Sequence, residues 1–424
     1  MVFTAAIFAG LYHAMPAQAQ LGLPRVTLPT LPLELPRLPG VLAPEGLPSP
    51  VPLRSLRRTT VRELLRTHAD VLEADPAGEP MRRQELLLVS PTSVTVNAAL
   101  AQGFAVLREQ VLTELDLRQV VLRPPPGLST AEALTRLRAL EPQVEADFNH
   151  VYTPGGETSA PAASAAPQGA AGKRRVGLID SGLDPRHAAL RDATVRAWGC
   201  NDVSMPSPHG TAVASLLVGR DAAFAGVAVG SVLYAADIYC GQPAGGAAET
   251  IAAALAWMAR EQVAVVNISL VGPPNRLLEH AVQAMNRKGH LLVAAVGNDG
   301  PAAPPLYPVA YPGVVGVTAV NAARRALPEA AQGSQVMFAA PGADLAVAQA
   351  GGAYTRARGT SFAAPIVAGL LAESLRSPDP AAAAAALARM GSDAIDLGAP
   401  GRDPVYGLGL LGEHALVAPQ HPAR

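Results

Sequence analysis

The chain has 424 residues, 49% of them hydrophobic and 16% charged, and this composition excludes a disordered protein. Its 33 basic and 34 acidic side chains give a formal charge of −1, which argues against a nucleic-acid binder, because such a protein needs a basic face. Two cysteines are too few for a disulfide-rich scaffold or a four-thiolate zinc site.

The first 19 residues have the pattern of a secretory signal peptide. An apolar run at 2–12 is too short for a membrane span, which takes about 20 residues, and the small-x-small triplet Ala17-Gln18-Ala19 follows it. No Lys or Arg precedes Arg25, so the basic n-region is missing, and a short N-terminal helix is the alternative. We predict a signal peptide at 1–19, a secreted or periplasmic protein, and no spanning membrane segment.

A proline-rich stretch and a small domain come next. Residues 24–52 hold nine prolines in 29 positions, which favours polyproline II and predicts a spacer over 20–58. The apolar period of residues 59–75 predicts a helix. The following pattern predicts strands at 85–90, 104–109, 116–123 and 144–152 and helices at 94–102 and 129–140, the second opened by the capping box Ser129-Thr130-Ala131-Glu132. This β-α-β-β-α-β order indicates a small ferredoxin-like α+β domain over 59–154.

A flexible linker and a larger domain complete the chain. Residues 155–172 are rich in Ala, Gly, Ser and Pro and predict the linker. Strands are predicted at 175–179, 232–238, 263–270, 291–296, 314–318 and 336–339, and helices at 210–218, 247–261, 276–288, 361–375 and 381–390. Such apolar runs between helices predict an α/β domain over 173–416 with a doubly wound, mainly parallel sheet, followed by a tail at 417–424.

Three reactive side chains stand at the ends of these elements. Asp180 ends a buried strand, His209 enters an apolar helix, and Ser361 opens a helix of small residues. Taken singly, they are commonest as a turn residue, a packing or surface residue and a helix cap. Taken together, they supply an acid, a base and a nucleophile, because a serine needs a base to take its proton and the base needs an acid to hold its tautomer.

The sequence around these residues resembles the subtilisin-like serine proteases, the subtilase family, over residues 175–415. The matching motifs, in chain order, are Asp180-Ser181-Gly182, His209-Gly210-Thr211 and Gly359-Thr360-Ser361-Phe362-Ala363-Ala364-Pro365. The resemblance implies a subtilisin-like fold and a serine endopeptidase, in which Asp180 orients His209 and His209 deprotonates Ser361.

The same resemblance implies an oxyanion hole and a substrate strand. Ala294-Ala295-Val296-Gly297-Asn298-Asp299-Gly300 matches the segment with the oxyanion-hole Asn, so Asn298 is the expected donor and Gly297 borders the substrate. Asn-Asp-Gly is in isolation a turn sequence. The segment Ser269-Leu270-Val271-Gly272 is expected to pair with the substrate backbone. The chain departs from the family at Val271, where Gly is usual, and this affects the size of the pocket.

The small α+β domain resembles the inhibitory propeptide that subtilases carry ahead of the catalytic domain. Its end, at 148–152, is expected to lie in the active site as a strand, which makes the propeptide an intramolecular inhibitor. Self-cleavage between Tyr152 and Lys173 would then mature a zymogen. Protein or peptide substrates are the other expected partners, and nucleic acid is not.

Other functions fit the sequence less well. Residues 407–412 match a dinucleotide fingerprint, but only 12 residues follow them, too few to complete a βαβ unit. A metalloprotease would need His-Glu-x-x-His, and an esterase would need a Gly-x-Ser-x-Gly elbow at Ser361 and another order of residues. A catalytically inactive subtilase-fold binding or chaperone protein is the alternative from a different class. No cofactor is required; calcium stays open, because no calcium loop can be matched.

The two cysteines, Cys200 and Cys240, lie 40 positions apart in the larger domain. In an oxidising compartment they would form a disulfide, and two buried thiols are the alternative.

Overall fold

A computed structural model describes residues 54–162, 174–203, 205–221 and 224–414. The predicted signal peptide, most of the predicted spacer and the tail at 417–424 lie outside these residues. The described chain begins with helix α1 (Arg54–Thr67), which takes up the last positions of the predicted spacer.

An antiparallel α+β region follows α1. Its elements are β1 (Leu72–Ala74), β2 (Pro80–Val89), α2 (Ser93–Ala101), β3 (Ala105–Leu112), β4 (Leu117–Arg123), α3 (Thr130–Leu140) and β5 (Ala146–His150). The strand order is β1-β2-β4-β3, and β5 also pairs with β2. This is the split arrangement predicted from the sequence. The predicted capping box is confirmed, because Ser129 and Glu132 exchange hydrogen bonds at the start of α3.

The second half of the chain builds a parallel sheet of seven strands. The remaining elements are β6 (Thr153–Pro154), β7 (Glu157–Ala162), β8 (Arg175–Asp180), β9 (Val195–Trp198), α4 (Pro208–Val218), β10 (Val232–Asp237), α5 (Ala248–Arg260), β11 (Val265–Ile268), β12 (Leu270–Val271), α6 (Arg276–Arg287), β13 (Leu291–Ala295), β14 (Val315–Val320), β15 (Val336–Pro341), β16 (Leu345–Ala348), β17 (Tyr354–Arg358), α7 (Thr360–Ser374) and α8 (Pro380–Asp393). The strand order is β15-β14-β13-β11-β8-β10-β9, and every pair in it is parallel.

Helices cover both faces of this sheet. Successive residues of a strand point to opposite faces, so Leu178 and Ile179 of β8 belong to different cores. Leu178 packs with α4 and α7, and Ile179 packs with α5 and α6. The doubly wound, mainly parallel architecture predicted from the apolar runs is confirmed. Among the residues that the structure describes, no helix has the length and apolar character needed to cross a membrane.

The region of the predicted linker differs from the expectation. Residues 157–162, within the predicted linker 155–172, form β7, which pairs antiparallel with β17. Sequence periodicity gives no sign of β7, because backbone hydrogen bonds to another strand leave no apolar alternation in the sequence. Strands β9, β16 and β17 are likewise absent from the prediction.

The structure joins Cys200 and Cys240 in a disulfide whose Cα atoms are 5.2 Å apart. On the chain-entropy model, a bond that closes a loop of this length stabilises the fold by about 4 kcal/mol. We therefore expect the double variant Cys200→Ser/Cys240→Ser to unfold with a free energy lower by about this amount. Urea titration would measure it, with both chains also carrying Ser361→Ala to suppress proteolysis. Equal unfolding midpoints would contradict a stabilising role.

Candidate active site

Asp180 and His209 form a hydrogen bond at the carboxyl edge of the parallel sheet. Asp180 is the last residue of β8, and His209 lies in the first turn of α4. Nδ1 of His209 lies 2.9 Å from Oδ1 of Asp180, and both side chains are buried. Helix α4 can approach this closely because residue 210 is glycine: a Cβ on Gly210 would lie 2.1 Å from the carbonyl oxygen of Ser181. The structure thus brings two of the three predicted reactive residues into contact.

Ser361 lies at the same edge, in the first turn of α7, and is fully buried. Its hydroxyl donates to the carbonyl oxygen of Ser269 at 3.3 Å. Nε2 of His209 is buried and has no hydrogen-bond partner in the described part of the chain. The ring of Phe362, the residue after Ser361, lies 5.4 Å from the imidazole between centroids. His209 therefore lies beside the start of α7, with its outer nitrogen unpaired.

A proline in α7 explains why Ser269 points to Ser361. Pro365 has no N–H, so the carbonyl oxygen of Ser361, four residues earlier, lacks its helical donor. The Ser269 hydroxyl donates to this oxygen at 2.9 Å, and Nδ2 of Asn267 donates to the Ser269 hydroxyl at 2.8 Å. Ser269, expected to bind substrate, thus holds the backbone of Ser361 through its side chain.

Asn298 presents an unpaired donor next to Ser361. It follows β13, and its Oδ1 accepts a hydrogen bond from the N–H of Thr360 at 3.0 Å. This bond fixes the amide, so that Nδ2 is buried with no hydrogen-bond partner in the described residues. A buried donor without a partner costs free energy, which an oxygen arriving at that position would recover. A donor held in this way suits the stabilisation of a developing oxyanion.

Residues 153–156 of the chain itself occupy the cleft. Strand β6 pairs antiparallel with β12, with Pro154 opposite Leu270 and Thr153 opposite Val271. A Cβ on Gly155 would lie 3.1 Å from Oγ of Ser361 and 3.7 Å from Nδ2 of Asn298. The backbone then continues into β7, which pairs with β17. The chain therefore passes through the site in extended form, and sequence analysis, which ended the inhibitory strand at residue 152, missed this segment.

The other residues expected to bind substrate have distinct positions. Leu270 and Val271 pair with β6. Gly272 exchanges two backbone hydrogen bonds of 2.9 Å with Tyr307. Gly297 donates its N–H to the Thr360 hydroxyl at 3.2 Å. Gly297 thus helps to fix the start of α7.

Asp237, a second carboxylate beside Asp180, was not predicted. It ends β10 and is aligned with Asp180 across the parallel pair β10–β8. Its Oδ1 accepts hydrogen bonds of 3.0 Å from the N–H groups of Tyr239 and Cys240. Burial, and to a smaller extent the charge of Asp180, raises the pKa of Asp237 above its ordinary value. Its position near the end of a predicted strand is the sequence signal that could have found it.

One cluster in the described residues has ligand atoms close enough for a metal ion: Cys200, Asp237 and Cys240. The two sulfur atoms are bonded to each other in the disulfide, so this cluster is a poor metal centre.

The N-terminal antiparallel region contacts the parallel domain through the first turn of α5. Glu249, 7% exposed, receives hydrogen bonds from Arg82 at 2.8 Å, Arg108 at 2.6 Å and Asn149 at 3.2 Å. A buried carboxylate needs such partners, because desolvation without compensation is costly. All three donors to the Glu249 carboxylate therefore come from the N-terminal region.

Helix α1 and the occupied cleft line one cavity. A cavity of about 720 Å³ is lined by Arg57 and Val61 of α1, by Gly155, and by Asn298 and Gly359 of the site. Nη1 of Arg57 donates to Glu79 at 2.9 Å, which ties α1 to the turn before β2.

Comparison with known proteins identifies a family. Residues 172–409 match a model of the subtilase family. The chain is 32% identical over 247 residues to the minor extracellular protease Epr of Bacillus subtilis, covering 56% of this chain and 37% of that protein. It is also 32% identical over 207 residues to a subtilisin of Bacillus pumilus, covering 47% of this chain and 75% of that one. The chain therefore spans little more than a third of the length of Epr.

A solved structure extends the likeness in fold beyond the family match. Fervidolysin from Fervidobacterium pennivorans, a keratinolytic enzyme related to subtilisin, superposes with a TM-score of 0.67 at 19% identity. The superposition covers 83% of this chain and 63% of that one. The matched region, 172–409, covers more than half of this chain. The chain therefore belongs to the subtilase family of serine proteases.

Proposed function

We propose that this protein is a secreted or periplasmic serine endopeptidase, made as a zymogen that cuts its own chain between Gly155 and Gly156. The observation that carries the proposal is the extended segment 153–156, which lies in the cleft with Gly155 against Ser361 and Asn298. An extended strand paired to the edge of the site is how a protease holds a peptide bond for attack.

In the proposed reaction, the Ser361 hydroxyl turns from Ser269 to the unpaired Nε2 of His209, which takes its proton. Oγ attacks the carbonyl carbon of Gly155, and the oxygen, now negative, accepts hydrogen bonds from Nδ2 of Asn298 and from the N–H of Ser361. The imidazolium gives its proton to the departing nitrogen of Gly156, and the peptide bond breaks. Water, deprotonated by His209, then hydrolyses the acyl ester. Asp180 holds the imidazole and stabilises its positive charge throughout.

The N-terminal region is the proposed inhibitor of the uncut chain. Ser361 is fully buried in this structure, with Gly155 lying against it. Hydrogen bonds to Glu249 hold the N-terminal region against α5, and α1 lines the cavity beside the cleft. After the cut, the new carboxyl end at Gly155 would stay in place until this region dissociates or is digested.

The proposal of export rests on the disulfide and on one class of relative. Disulfides persist in oxidising compartments and are rare in the cytosol. Epr is named an extracellular protease, but a major intracellular serine protease of Bacillus subtilis is also a relative, at 29% identity. The disulfide favours the first of these two environments.

Substitution of Gly155 tests the proposed cut. A side chain there would start 3.1 Å from Oγ of Ser361, so we expect Gly155→Val to slow self-cleavage at this bond by at least about 10-fold, the effect of about 1.4 kcal/mol of steric strain. In the wild type, mass spectrometry of the matured chain should find Gly156 at the amino terminus. The same substitution on α8, Gly391→Val, serves as control and should leave the rate unchanged. A mature terminus before Val144, or wild-type processing of Gly155→Val, would refute the cut.

Casein hydrolysis tests the enzymatic activity itself. The matured protein should degrade casein, and a sulfonyl fluoride should block it by adding covalently to Ser361, seen by peptide mass mapping. The inactive binding or chaperone alternative predicts neither hydrolysis nor labelling.

A further inference from the structure

On the basis of the proposed function, we infer that this protease selects extended peptides with glycine on each side of the cut bond. The selected peptides also carry tyrosine three residues before the first glycine. The same cleft must take foreign substrates once the chain's own segment has left. The contacts of residues 152–156 therefore show what it accepts.

The side chain of Val271 lies against the position of Gly155 and narrows the space for a side chain there. A Cβ on Gly155 would lie 3.8 Å from Cγ2 of Val271 in addition to its contacts with Ser361 and Asn298. The same valine also faces Gly297, where a Cβ would lie 3.8 Å from Cγ1 of Val271 and 3.0 Å from Cδ1 of Leu306. Val271 and Leu306 are both buried, so neither can turn out to solvent at low cost.

The residue after the cut bond is restricted as well. Gly156 has φ of +153°, which side-chain-bearing residues rarely adopt, and a Cβ there would lie 2.7 Å from Cε2 of Phe362. Because Phe362 is fully buried beside Ser361, it has little freedom to move. A glycine pair therefore fits the two positions that flank the bond.

Tyr152 makes the attractive contacts of the proposed recognition. It is completely buried, and its hydroxyl donates to the carbonyl oxygen of Pro273 at 2.7 Å. Its ring packs on Gly272, where a Cβ would come within 2.5 Å of Cδ1. Its backbone is held on both sides, since its N–H donates to Gly246 at 2.9 Å and its carbonyl oxygen accepts from the Tyr239 hydroxyl at 2.7 Å.

Burial raises the pKa of Tyr152 well above its ordinary value, so the phenol enters the pocket as a neutral donor. The tyrosine pocket would anchor a peptide at a distance from the bond, and the narrow cleft would then favour glycine at the bond itself. Attraction at one position and steric exclusion at another together define a specificity.

The test uses internally quenched peptides with the sequence of residues 151–158 and the matured wild-type protein. We expect kcat/KM to fall by at least about 10-fold for the Gly155→Leu peptide and about 100-fold for the Gly155→Phe peptide, because overpacking costs about 1–3 kcal/mol. For the Tyr152→Phe peptide, kcat/KM should fall by about 3- to 10-fold, the effect of losing one hydrogen bond. For the Tyr152→Ala peptide, kcat/KM should fall by about 100-fold or more.

Val271→Gly should raise the ratio of kcat/KM for the Gly155→Phe peptide over the parent peptide by at least about 10-fold, because it removes the side chain that a phenyl ring would strike. The matched control is Val203→Gly, at an exposed valine outside the cleft, which should leave the ratio unchanged. If Val271→Gly does not fold, the wild-type ratios decide alone.

The outcomes separate this inference from the function on which it rests. Cleavage of the Leu and Phe peptides as fast as the parent, with casein degraded, would overturn the specificity and leave the proposed protease intact. Failure to cut any peptide or casein would overturn both.

Discussion

Ser361→Ala is expected to lower the rate of self-cleavage and of casein hydrolysis by about 10⁶-fold, the effect known from removal of the serine in subtilisin itself. The substitution removes the only atom that the proposed reaction bonds to the carbonyl carbon of Gly155. The site would keep its oxyanion donor and its paired strand, so a small acceleration over water would remain. On the time scale of an expression experiment, the variant should accumulate as the uncut precursor.

The measurement is the first-order rate of precursor loss on a denaturing gel, followed for the purified chain over days. Ser215→Ala is the control, because Ser215 is also a buried serine but lies on α4, where its hydroxyl bonds to the backbone of Ala212 and Ala348. It should mature at the wild-type rate, and a single cooperative melting transition in each variant would show that both fold. Cleavage of Ser361→Ala at Gly155 would assign the reaction to another nucleophile or to a contaminating protease.

The proposed reaction would give partners to two unpaired polar atoms. Nε2 of His209 and Nδ2 of Asn298 are both buried without partners among the described residues, although buried polar groups are normally satisfied. Each has a partner at a later stage of the proposed reaction: the Ser361 hydroxyl for the first and the oxyanion for the second. Their present cost thus makes the transition state comparatively more favourable, which is how preorganised sites act.

The sequence was sufficient for the elements whose pattern is local. Helix α3 carries its capping box in four consecutive residues, and the strands of the parallel sheet are continuous apolar runs because both of their faces are buried. The three reactive residues were singled out by the resemblance of their motifs to the subtilase family, and the structure shows that two of them, Asp180 and His209, are hydrogen-bonded.

The parts that escaped prediction depend on contacts between distant segments. Strand β7 forms because β17, almost two hundred residues away, offers its edge, and no apolar alternation marks it beforehand. Asp237 matters through its alignment with Asp180, which is a property of the β10–β8 register. An effect of Val271 on the size of the pocket was expected from its departure from the family, but its contact with the position of Gly155 needed the position of the strand.

Asp180→Asn is expected to lower the rate of self-cleavage by about 10⁴-fold while leaving the fold intact, as in the known serine-protease triads. Oδ1 of Asp180 accepts bonds from Nδ1 of His209 at 2.9 Å and from the N–H and hydroxyl of Ser181 at 2.6 Å and 3.0 Å. An amide oxygen in that place would keep these bonds, but the negative charge that stabilises the imidazolium would be lost.

If the side-chain amide of Asn at position 180 were rotated by 180°, its NH₂ group would face Nδ1 of His209. The imidazole would then carry its proton on Nε2, and a protonated Nε2 cannot accept the proton of Ser361. Either orientation therefore weakens the base.

Self-cleavage of the precursor, followed as a single turnover, measures the effect without the need for matured protein. Asp237→Asn is the matched control, since Asp237 is the neighbouring strand-end carboxylate but bonds to the backbone of Tyr239 and Cys240 and not to His209. It should slow the cut by less than about 10-fold, the effect of about 1.4 kcal/mol. If both variants lost the same large factor, negative charge at the sheet edge, and not the hydrogen bond to His209, would be the contribution of Asp180.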